Sequence, residues 1–87
     1  MVSRGDIHKV VGKTIAGVIV KRSITPTSPA HQIYLIFSDN TTCEFYTDES
    51  EIYPSFTFLD YGQVREISSD VMEIKMDHVD TSLLEKR

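Results

Sequence analysis

The sequence predicts an α+β domain: a small antiparallel sheet of three to five strands with a short N-terminal helix and a C-terminal helix. Three observations lead there. Residues 15–20 form an uncharged, β-branched run, and residues 32–37 and 41–47 read as two strands around Ser38-Asp39-Asn40. Residues 72–83 repeat apolar side chains at helical spacing. The 87 residues make a single domain, 1–87, with one core and no space for a deep enclosed cavity, so no cofactor is expected.

The elements follow in chain order. Ser3 and Asp6 have the spacing of a helix cap, Ile7, Val10 and Val11 lie at helical spacing behind them, and Gly12 closes a helix over residues 4–11. Residues 13–22 form a strand with apolar side chains on both faces, which suits an inner position. Gly17 in its middle points to a bulge or to a close approach of another backbone. Residues 25–29 contain two prolines that lack backbone donors, so they form an exposed loop.

Register in the hairpin is decided by parity. A two-residue turn at Asp39-Asn40 would pair Phe37 with Thr42 and Leu35 with Glu44, setting polar groups against the apolar face. A three-residue loop, Ser38-Asp39-Asn40, pairs Leu35 with Cys43 and Ile33 with Phe45 and puts Asn40 in the left-handed region. The longer loop is the better match, and it makes Cys43 a quiet, buried thiol. Residues 52–59 read as an irregular edge strand interrupted by Pro54, followed by a turn at Asp60-Tyr61-Gly62.

Two periods compete near the C-terminus. As a strand, Met72, Ile74 and Met76 alternate with Glu73, Lys75 and Asp77; as a helix, Met72, Met76, Val79 and Leu83 share one stripe. The capping-box spacing of Asp70 and Glu73, and the helical preference of Met, Glu and Lys, favour the helix. The strand reading stays open.

Charge is segregated along the chain. Residues 1–22 carry a net +4, residues 23–64 a net −6 without a single Lys or Arg, and residues 65–87 a net −2. An acidic middle repels phosphate backbones, so nucleic acid is not an expected partner. No run approaches the ~20 apolar residues of a membrane span, the N-terminus lacks the apolar stretch of a secretory signal, and Cys43 is the only cysteine. These features predict a soluble, cytoplasmic domain with no membrane association.

Motifs for chemistry are weak. Arg4-Gly5-Asp6 spells an integrin-type tripeptide, but Asp6 has a place in the first helical turn and nothing indicates secretion. Asp77, His78 and Asp80 cannot converge on one ion from a helix, where successive residues lie ~100° apart, so no metal site is expected. No serine sits in a Gly-x-Ser-x-Gly elbow. The carboxylates of Asp48, Glu49 and Glu51 fall in an exposed loop where no desolvation would tune them, and the glycines are too scattered to cradle a phosphate. The chain is not expected to be an enzyme.

Residues 45–61 stand out. They hold six of the eight aromatic residues and four acidic side chains, with no Lys or Arg. Tyrosines offer rigid contact area with a polar tip, and carboxylates around them speed encounter with a basic protein. The expected function is therefore a non-catalytic binding module of the inhibitor, immunity-type or adaptor kind. Tyr46, Tyr53 and Tyr61 would be its anchors, and Asp48, Glu49, Glu51 and Asp60 would steer a basic partner. The alternative expectation is a structural homo-oligomer, assembled through a sheet edge or through the stripe of Met72 and Met76.

Overall fold

The computed structural model describes residues 6–25, 31–48 and 51–85. Its strands are β1 (Ile15–Ser23), β2 (His31–Phe37), β3 (Thr42–Asp48), β4 (Glu51–Thr57) and β5 (Met72–Val79). They form one antiparallel sheet in the order β4-β3-β2-β1-β5. A 3-10 turn, Ile7–Val10, precedes β1; a six-residue helix, α1 (Tyr61–Glu66), lies between β4 and β5; a second 3-10 turn, Thr81–Leu83, follows β5.

The expectation of an α+β fold is overturned. The chain is mostly one five-stranded antiparallel sheet with a single short helix, and residues 72–79 form a strand rather than a C-terminal helix. The reason is the inner position of β1. Its backbone presents a row of donors and acceptors on both edges; β2 satisfies one edge and β5 the other. An eight-residue helix has little stability of its own, so pairing along β1 wins over local propensity. Asp70 therefore lies in the turn that leaves α1, where Ser68 takes the left-handed conformation at φ 56°, and caps no helix.

The N-terminal helix expected over residues 4–11 is only the 3-10 turn Ile7–Val10. Asp6 adopts φ 52°, which no right-handed helix accommodates, and its side chain makes no capping bond. Arg4 and Gly5 lie outside the described residues, as does the proline-rich loop from residue 26 onwards.

The hairpin follows the sequence reading. Leu35 pairs with Cys43 and Ile33 with Phe45, and Asn40 has φ 64°. Cys43 is buried. Pro54 sits in β4, an edge strand, opposite Phe45. Gly17 does both things expected of it. The β1 register shifts between Ile15 and Gly17, and the β5 backbone at His78 and Val79 crosses its Cα so closely that no Cβ would fit.

Alternation along paired strands separates two faces. The first carries Ile19, Tyr34 and Ile36, which bury together with Val64 of α1. Leu59, Tyr61, Val79 and Leu84 close around this core. α1 begins at a capping box between Asp60 and Gln63: the Gln63 amide donates to Asp60 Oδ1 at 2.8 Å, and the Asp60 amide donates to Gln63 Oε1 at 2.9 Å. It ends where the Ile67 carbonyl accepts a hydrogen bond from Lys21 Nζ at 2.5 Å. The second face carries Val18, Val20, Ile33, Leu35, Cys43 and Phe45.

Candidate binding surface

Helix α1 sits over β1 and β2, so the β3–β4 part of the first face lies beside it rather than beneath it. Parity places Glu44 and Tyr46 of β3 opposite Ser55 and Tyr53 of β4 on this face. The Tyr46 and Tyr53 rings meet with centroids 5.8 Å apart, tilted by 36°. Both tyrosines are half-buried. The Tyr53 hydroxyl hydrogen-bonds to the Glu51 carboxylate two residues earlier on the same face. The result is an aromatic shelf with a carboxylate on either side.

The inner border of the shelf is a buried polar chain. Lys21, fully buried, holds its ammonium 5.7 Å from the Tyr34 ring centroid while donating to the Ile67 carbonyl. The Tyr34 hydroxyl donates to Gln32 Oε1 at 3.0 Å and approaches Glu44 Oε2 at 3.4 Å. Burial drives the titration of all three groups. It lowers the Lys21 pKa against the opposing pull of Glu44, and it raises that of Tyr34, helped by the Glu44 charge. Burial also raises the Glu44 carboxyl, although Tyr34 and Lys21 pull it down. The shelf thus holds a half-buried carboxylate that pays a solvation penalty for its charge, next to the exposed Glu51.

The structure gathers only part of the predicted set. Tyr46, Tyr53 and Glu51 come together, and Asp48 ends β3 opposite Glu51. Glu49 lies outside the described residues. Asp60 is the N-cap of α1. Tyr61 turns to the far side of the helix, where its hydroxyl donates to Asp77 Oδ1 at 3.0 Å and its ring lies 5.7 Å from the Arg65 guanidinium. Arg65 Nε also reaches Asp77 Oδ2 at 3.2 Å. Asp77 is on β5, three strands from β3 and hence roughly 14 Å away across the sheet. Tyr61 and Asp60 therefore belong to the helix and its seat.

Glu44, Tyr34 and Gln32 were not anticipated at this surface. Their signal was available, since the parity that pairs Leu35 with Cys43 also pairs Tyr34 with Glu44. The methionine stripe does not form: Met72 pairs with Ser23 and Met76 with Val20, and a bulge between them sends the two side chains to opposite faces. Among the described residues no group of three His, Cys, Asp or Glu side chains is placed to hold a metal ion, and no helix is long and apolar enough to cross a membrane. No protein-family model matches the chain, and no curated protein or solved structure is significantly similar to it.

Proposed function

We propose that the chain is a non-catalytic binding module that receives a basic protein segment on the β3–β4 shelf. The observation that carries this reading is the Tyr46–Tyr53 pair, set beside Glu44 and Glu51 on a stretch of sheet that contains no Lys or Arg between Ser23 and Val64. Lys21, whose charge acts on Glu44, is buried beneath the surface and committed to the Ile67 carbonyl. Two adjacent rigid rings supply anchoring area, and the surrounding carboxylates raise the encounter rate with a positively charged segment.

Strand addition at the sheet edges has less support. β4 contains Pro54, which removes one ladder donor, and β5 carries Glu73, Lys75 and Asp77 with a register shift against β1. The test is binding of a lysine-rich peptide, followed by fluorescence anisotropy at rising salt. Wild-type affinity should fall steadily with salt, and Tyr46→Ala with Tyr53→Ala should weaken it by about tenfold or more. Unchanged affinity in the double variant, or binding indifferent to salt, overturns the reading.

A further inference from the structure

The second face of the sheet has an apolar row that runs across all five strands. Pro54 of β4, Phe45 of β3, Ile33 of β2, Val20 of β1 and Met76 of β5 are successive cross-strand partners. Ile33 and Met76 are 42% and 43% exposed, although Ile33 lies in the middle strand. On one side of this row lie Phe56, Cys43, Leu35 and Val18; on the other lie Ile52, Thr47, His31 and Arg22. The face is thus apolar in its middle and polar along one rim, the distribution found at protein interfaces.

Only one corner of this face is covered among the described residues. The segment around the Ile7–Val10 turn lies against β4, with Lys9 Nζ 5.5 Å from the Phe58 ring and Lys13 Nζ 5.3 Å from the Phe56 ring. The longest stretches outside the described residues are residues 1–5 and 26–30, whose apolar members are Met1, Val2, Pro26, Pro29 and Ala30. They hold too few apolar side chains to cover five strands. A sheet with apolar side chains on both faces needs a layer on each.

We propose that a second copy of the chain supplies that layer, so that two sheets pack face to face with a two-fold axis along the row from Pro54 to Met76. The area is adequate. Five strands at ~4.8 Å and three cross-strand registers at ~7 Å define a plane of roughly 500 Å². Counted on both copies this is about 1,000 Å², the lower bound for a specific interface.

The corner turn selects this axis. Rotation about the row carries the Ile7–Val10 turn of one copy to the opposite end of β4 on its partner, over Ile52, which is 68% exposed. Ile7 and Val11 are exposed on that segment and offer apolar contact. A rotation about the strand direction would instead set the turn over His78, a polar residue. The Tyr46–Tyr53 shelf lies on the other face and stays accessible in the dimer.

Sedimentation equilibrium of the full chain tests the inference. Wild type should be dimeric with Kd of ~1 µM or tighter, and Val20→Asp should be monomeric with an unchanged far-ultraviolet spectrum. An Ile33→Cys chain should form a covalent dimer with a short bis-maleimide, because a residue on a two-fold axis meets its own copy. Wild type, whose Cys43 is buried, should not cross-link. A wild-type monomer at all concentrations, a Val20→Asp chain that stays dimeric, or an Ile33→Cys chain that fails to cross-link overturns the proposal. Should Val20→Asp unfold, the Ile33→Cys cross-link alone decides. Capture of a different protein by a monomeric chain would assign the face to that partner and also overturn it.

Discussion

Replacing Gly17 by alanine should cost more stability than its single methyl group suggests. A Cβ at this position would lie well inside 3.0 Å of the His78 carbonyl oxygen and of Val79 Cα, and 2.7 Å from Val79 Cγ2. Two of these atoms are backbone, so no side-chain rotation relieves the clash. β5 must move away from β1 by about 1 Å or give up its pairing there. Overpacking of this kind costs about 1–3 kcal/mol, and a lost backbone hydrogen bond adds about 1 kcal/mol. Such a bond is at hand, because the Asp80 amide donates to the Ala16 carbonyl at 3.0 Å beside this crossing. The reduced freedom of the unfolded chain returns about 0.4–1 kcal/mol. The net loss is about 2–3 kcal/mol, or roughly 10–20 °C in Tm for a domain of this size. Urea unfolding at one protein concentration measures it. Gly62→Ala is the control: a Cβ there has only an ordinary contact, 3.5 Å from Asp60 Oδ1, and the exposed helical position should gain up to about 0.5 kcal/mol. A Gly17→Ala variant within 0.5 kcal/mol of wild type would refute the close crossing of β5 over β1 and the pairing of Gly17 with Val79.

Two further substitutions probe the helix-bearing face. Because burial raises the Glu44 pKa, the folded chain holds this proton more tightly than the unfolded chain, so stability falls as pH rises through the window just above 4.5. Glu44→Gln keeps an acceptor for Tyr34 without the charge; it should match wild type near pH 4, exceed it at pH 7, and remove that part of the slope in pH-dependent urea midpoints. Asp60→Ala removes the carboxylate half of the capping box and should cost about 1 kcal/mol, with faster amide exchange at Gln63 as the local signature.

What was legible in the sequence was governed by alternation and turn chemistry. Leu35 against Cys43 and Ile33 against Phe45 is the register that keeps apolar side chains on one face, and Asn40 supplies the left-handed residue that the loop needs. Gly17 announced a close backbone, and the two apolar faces of residues 15–20 announced an inner strand. The C-terminal strand was not legible, because Met72, Met76, Val79 and Leu83 satisfy a helical stripe equally well. Only the vacant edge of β1, a property of the assembled sheet, decides between them. The true helix hid behind a turn reading of Asp60-Tyr61-Gly62, although Asp60 and Gln63 spell its capping box. The candidate surface was half legible. The composition of residues 45–61 marked Tyr46, Tyr53 and Glu51, but linear proximity also recruited Tyr61 and Asp60, which fold onto the helix. Glu44 and Tyr34 join through cross-strand pairing.

The most direct test of the binding reading is an amide chemical-shift titration of the isotopically labelled chain with a lysine-rich peptide. The shelf predicts shifts concentrated on Glu44, Tyr46, Glu51 and Tyr53 that fade as salt is raised, with β5 and the Asp77 side of α1 unmoved. Shifts centred on Tyr61 and β5, or none at low salt, would contradict it.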